Sequence, residues 1–141
     1  MGQKEKNNAN KLMADLLTDI GGWYQRIPDT PYGRFAEKKP FDGVYTFRGI
    51  AFEFKFKEQG ATFNLNTEWR DKEPHQEIGL RQFQDTGTGL GILLIFWKRK
   101  HLIHVCWLPV DKVVGVDKIK FEDWNTGDEL RELMRGERNG R

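Results

Sequence analysis

Cysteine is almost missing from this chain: Cys106 is the one thiol in 141 residues. No intramolecular disulfide is possible, and a reducing compartment suits the composition. Its setting, LIHVCWL, is apolar, so Cys106 reads as a buried thiol rather than a nucleophile. Long apolar runs are also missing. GILLIFW, Gly91 to Trp97, is seven residues long, far short of the about 20 that a membrane-spanning helix needs. The N-terminal MGQKEKNNANK is polar, so no secretory leader is expected. Histidine is scarce, and His75, His101 and His104 lack zinc-ligand spacing. DTGTGLG carries no Lys-Ser/Thr after it and precedes a strand-like run, which excludes a P-loop. Neither sign of charge dominates, the formal net charge being +2.

What remains is a polar globular composition, with 31% charged and 13% aromatic residues. One domain over residues 1–141 is expected, loose at 1–9 and 136–141, and able to bury roughly 68–70% of its unfolded surface. Leu12, Met13, Leu16, Leu17 and Ile20 share one face of an amphipathic helix that ends at Gly21-Gly22. A short strand, Trp23 to Ile27, and a proline-containing loop follow. FDGVYTF and IAFEFKFK then form a hairpin around Arg48-Gly49, the glycine supplying a positive φ. TFNL extends briefly in the loop from Glu58 to Pro74. HQEIGLRQFQD is a helix, GILLIFW a strand buried on both faces, and HLIHVCWLP its partner across the charged turn WKRKH. A last helix runs from about Asp128 to Met134. This order implies an α/β fold with a central mixed sheet flanked by helices. Its crossover helix makes GILLIFW parallel to a hairpin strand.

GIAFEFKFKE holds the chemical question. Ile50, Phe52, Phe54 and Phe56 point one way, and Glu53, Lys55 and Lys57 the other. One reading makes the charged row a wet sheet face. The other makes it an active site. On the partner strand, Asp42 falls nearly opposite Glu53, within about a residue of register, and opposed acids are destabilising unless a cation lies between them. Mg²⁺ accepts one or two carboxylates and keeps waters that a phosphate replaces. Lys55, on Glu53's face, suits the charge that grows on phosphorus during phosphodiester hydrolysis.

Asp42 with Glu53-Phe54-Lys55 resembles the PD-(D/E)XK nuclease signature. The stretch from Pro40 to Leu108, with FDGVYTFRGIAFEFKFKE, TFNL and EPHQEIGLRQFQDTGTGLGILLIFW, is similar to the RecU-type Holliday-junction resolvases and their phage relatives. The resemblance implies a three-layer restriction-endonuclease-like fold. It implies a Mg²⁺-dependent endodeoxyribonuclease, with Mn²⁺ as a substitute, that nicks four-way DNA junctions as a homodimer in the cytoplasm, or the host's if phage-encoded. Asp42, Glu53 and the Phe54 carbonyl would be metal ligands, and Asp15 of the first helix would act through a water where the family offers Glu. Lys55 would position the attacking water, and Gln76 would be an accessory group near the metal or scissile phosphate. Arg26, Arg34, Lys57 and His75 are candidate DNA contacts. The long stalk of RecU proteins is absent between Ile27 and Pro40, which brings the chain closer in size to the compact archaeal junction resolvases. Alternatives are a nuclease of this fold acting on flaps, mismatches or restriction-like sites, and a catalytically silent DNA-binding module.

Overall fold

The computed structural model describes Lys11 and residues 24–26, 43–45, 49–86 and 89–135. Of the expected first helix only Lys11 is among them, and it is helical. Six strands make the main sheet in the order β1-β2-β3-β5-β6-β8: β1 (Tyr24–Arg26), β2 (Gly43–Tyr45), β3 (Ile50–Lys57), β5 (Leu90–Arg99), β6 (Leu102–Pro109) and β8 (Asn125–Thr126). Two strands, β4 (Thr62–Asn64) and β7 (Lys118–Lys120), form a small second sheet. The main sheet is mixed. β3 and β5 run parallel and the other neighbours antiparallel.

The parallel pair follows from its crossover helix, α1 (Pro74–Asp85), since same-direction neighbours cannot be joined by a tight turn. Pro74 opens α1, where its missing N–H costs nothing. The helix carries the chain back from the C-terminal end of β3 to the start of β5. Its last turn is tied there by a hydrogen bond of 3.2 Å from the Gly91 N–H to Gln84 Oε1. A Cβ at Gly91 would stand 2.5 Å from the Leu80 carbonyl oxygen, so only glycine lets helix and strand approach this closely.

Both faces of the sheet are covered. On one, Ile50, Phe52 and Phe54 of β3 pack with Ile92, Leu94 and Phe96 of β5 beneath Leu130 and Met134 of the last helix, α2 (Gly127–Arg135). A Thr126–Glu129 capping box, with bonds of 3.1 and 3.3 Å, starts α2. On the other, Ala51, Leu93, Ile95, Trp97 and Cys106 pack beneath Leu80 of α1 and beneath Phe63, Trp69, Val113 and Trp124. A helix on each side of a mixed sheet gives the three layers expected from the sequence, and GILLIFW is buried throughout.

Two local details differ from the sequence reading, and a third refines it. Tyr45 pairs with Ile50, so the hairpin connection is four residues rather than the two-residue Arg48-Gly49 turn. Gly49 still takes the positive φ, +65°. The loop after β4 contains a π-helical turn, Asn66–Arg70, started by the Asn64 side chain, whose Oδ1 accepts from the N–H groups of Asn66 and Thr67. Finally, the charged turn of WKRKH is held by Lys100 and His101 in left-handed conformations, φ 50° and 67°, the geometry that matches the twist of a two-residue hairpin.

Candidate active site

Glu53 sits in the middle of β3, on the face covered by α1. The alternation allowed this face to be wet, but it is not: Ala51 is fully buried and Glu53 is 1% exposed. The cause is tertiary. Glu53 pairs in register with Leu93 of the buried strand β5, and α1 and the π-helical segment close over them. A carboxylate in such a place is costly unless an opposite charge compensates it. Lys55, two residues on, supplies one, with Nζ 3.8 Å from Glu53 Oε2 and a side chain 19% exposed. The acid is therefore interior, and the ammonium beside it reaches toward solvent.

Phe54 contributes differently. Its ring lies on the opposite face, stacked 5.6 Å from Phe52 and tilted 5.6 Å from Phe96. Its main-chain carbonyl, like any in a strand, lies near the plane of the sheet rather than on either face. Buried carboxylate and main-chain carbonyl are both hard oxygen donors, the kind Mg²⁺ takes, so they fit the expected ion. Among the described residues no three of His, Cys, Asp and Glu gather into a metal cage. Two of the expected ligands, Asp42 and Asp15, lie outside those residues, as does Arg34. The described neighbour of Asp42, Gly43, pairs with Phe52, the residue before Glu53. Arg26 ends β1 opposite Gly43; its side chain is outside the described set.

Gln76 is the other buried polar side chain among the described residues, 8% exposed. Its Oε1 accepts a 2.9 Å hydrogen bond from the indole N–H of Trp69, which is fully buried. Because an indole nitrogen can only donate, this bond fixes the amide orientation, and the NH₂ end of Gln76 faces away from Trp69 as a donor. Its level in the sheet follows from the helix. Leu80 lies over Gly91. One turn toward the helix N-terminus is about 5.4 Å, nearly two strand residues, which brings Gln76 level with Leu93 and so with Glu53. The first turn of α1, whose Gln76 N–H bonds the Glu73 carbonyl at 3.1 Å, thus lies at the level of Glu53 and Lys55 in the sheet, with the positive end of the helix dipole toward them.

Two neighbours were not identified from the sequence. Trp69 is one. Arg70 is the other, and all five of its N–H donors are engaged. It grips Glu77 of α1 through two bonds of 2.9 Å and reaches Asn66 Oδ1 at 3.0 Å. It also bonds the carbonyls of Val113 and Val116 at 2.6 and 2.7 Å. This guanidinium ties the π-helical turn, the first turn of α1 and the 110–116 connection together. Their side chains come from a segment without periodicity, so no sequence pattern marks them.

The candidate DNA contacts separate. Lys57 is not a free cation: its Nζ meets both oxygens of Glu68 at 2.8 and 2.9 Å and stands 5.9 Å from the ring centres of Phe63 and Trp97. His75 lies in the first turn of α1, half-buried, 3.6 Å from Glu73.

No protein-family model matches the sequence, and no curated protein matches it. The fold does have a match. Hjc of Archaeoglobus fulgidus, a Holliday junction resolvase from an archaeal hyperthermophile, superposes with a TM-score of 0.60 at 14% identity, over 92% of this chain and 99% of Hjc. The chain is similar to that resolvase in its fold, an α/β structure with a mixed central sheet flanked by helices.

Proposed function

We propose that this protein is a Mg²⁺-dependent endodeoxyribonuclease that acts on branched DNA, with four-way junctions as its substrate. One observation carries the reading: a glutamate 1% exposed in the core of the sheet, with a lysine on its own strand face reaching from it to the surface. A structural role would be served better by an apolar residue at that position. The register of β2 on β3 supports Asp42 as the opposing carboxylate, and the resolvase-like fold supports DNA as the substrate.

Asp42, Glu53 and the Phe54 carbonyl would hold the ion, with Asp15 engaging it through a water. When bound, Mg²⁺ supplies Lewis-acid polarisation of the phosphate and lowers the pKa of a bound water. The chain's own groups do the rest. Lys55 holds the attacking water by hydrogen bonding and offsets charge on the phosphorus oxygens. Gln76 donates its amide N–H to a phosphate oxygen or to that water, and the α1 N-terminus favours the anion. The water oxygen bonds to phosphorus as the bond to the sugar oxygen in line with it breaks; the attacking water gives its proton to bulk solvent, and the departing oxygen takes one from solvent. Cutting a junction symmetrically takes two such sites, so the working form is a homodimer. The RecU-type and phage resolvases remain the family proposed, and the cytoplasm, the host's if phage-encoded, the compartment proposed.

The test compares labelled four-way junction, flap, mismatch, duplex and single strand, each with Mg²⁺, Mn²⁺ or EDTA. Paired nicks on the junction that require the metal are expected. Cutting of flaps, mismatches or plain duplex instead would reassign the substrate, and tight junction binding with no cutting would mean a silent binding module.

A further inference from the structure

Beyond Lys57, at the end of the strand pair β3–β5, lies a cleft of about 760 Å³ lined by Glu58, Gln59, Gly60 and Ala61 on one side. The hairpin turn Lys98, Arg99, Lys100 and His101 forms its other side. Three features make it a built surface. The loop wall is pinned by a 3.0 Å hydrogen bond from Trp97 Nε1 to the Gly60 carbonyl, and by a 2.9 Å bond from the Phe121 N–H to the Ala61 carbonyl. The Arg99 guanidinium is seated on the Phe121 ring, 4.5 Å from its centre, so little side-chain freedom is lost when it binds. Lys98, Lys100 and His101 are exposed; β5 fixes where the Lys98 side chain starts, and the left-handed turn does so for Lys100 and His101. Among the described residues lining the cleft, one carboxylate, Glu58, stands against these cations. Lys57 does not take part, since Glu68 already holds it.

We infer that this cleft binds the phosphodiester backbone of a duplex arm of the substrate, gripping it away from the cutting site. The inference rests on the proposed nuclease reading and adds a second contact point to it. Spacing supports it. From Leu93, the partner of Glu53, to Lys98 and Lys100 is five to seven residues along β5. At about 3.3 Å each that is roughly 16–23 Å, or about five to seven base pairs of arm beyond the scissile phosphate. Arginine and lysine reading phosphate in this way carry no sequence information, which suits an enzyme selective for shape.

The experiment measures junction affinity against salt, with Ca²⁺ replacing Mg²⁺ to stop cutting, for the wild type and for Lys98→Gln combined with Lys100→Asn. Asparagine is chosen because it tolerates the left-handed backbone. Loss of two phosphate contacts is expected to flatten the log–log salt slope by about 1.8 and to weaken binding tenfold or more at 0.1 M salt. The single-turnover cutting rate at saturating protein should stay unchanged. Lys98→Arg with Lys100→Arg should retain both slope and affinity. A double Gln/Asn variant with the wild-type slope and affinity would overturn the cleft assignment while leaving the nuclease reading intact. A wild type that binds no DNA would overturn both.

Discussion

Arg70→Ala is the perturbation that best probes how the site is held. Five hydrogen bonds of 2.6–3.0 Å leave with the guanidinium, two of them donated to Glu77 as a bidentate pair and two donated to the carbonyls of Val113 and Val116. Hydrogen bonds to charged groups contribute about 1.5–3 kcal/mol each, but bonds from one group are far from additive. Both side chains of the ion pair are nearly a fifth exposed, so water replaces part of what is lost. A destabilisation of about 2–4 kcal/mol results. For a chain of this size that lowers Tm by very roughly 8–16 °C. Lysine restores the charge opposite Glu77 but not the planar fork, so Arg70→Lys should recover about half at most. Urea unfolding followed by tryptophan fluorescence measures both variants. Arg70→Lys equal to wild type, or Arg70→Ala costing under about 0.5 kcal/mol, would refute the idea that this fork clamps the first turn of α1.

Gln76→Glu keeps the Trp69 bond but places an oxygen where the amide donor stood, and should slow junction cutting about 100-fold with little change in DNA affinity. Trp69→Phe releases the amide and should slow it about tenfold, and full activity in both would remove Gln76 from the site. Gly91→Ala forces a methyl onto the Leu80 carbonyl, 2.5 Å away, and should cost about 1–3 kcal/mol in the same urea assay. A stability equal to wild type would show that α1 moves freely over β5. Burial pushes the Cys106 thiol up from 9.0 to about 12, against a smaller opposing effect of Arg99. The folded form thus keeps a proton that the unfolded chain loses above pH 9, so this contribution is full below pH 9 and falls away between pH 9 and 12. Cys106→Ala should flatten the alkaline loss of stability, and an unchanged slope would show that the thiol is not its source.

The sequence showed the strands and the crossover because their causes are local. Alternation marked β3, and seven apolar residues in a row marked β5. Glu53 and Lys55 were legible as a same-face pair for the same reason. The burial of that face was not legible. It comes from Leu93, Ile95 and the covering residues Trp69 and Leu80, distant in sequence from Glu53. Register was nearly legible: the sequence predicts a two-residue turn at Arg48-Gly49, and the four-residue connection shifts the pairing by two, an even step that keeps the alternation of β3 against its partner. Lys57 showed the opposite limit. Read along the strand it is another exposed cation, yet Glu68, eleven residues on in a π-helical turn, takes up its charge.

The central claim is that Glu53, buried beside Lys55, is a metal-binding acid of a junction-cutting site. Single-turnover cleavage of a labelled four-way junction in Mg²⁺ by the wild type, Glu53→Gln and Asp42→Asn tests it most directly, with junction binding measured in parallel. Cutting by the wild type, its loss in both variants and retained binding are the expected result. Glu53→Gln cutting at the wild-type rate would contradict it.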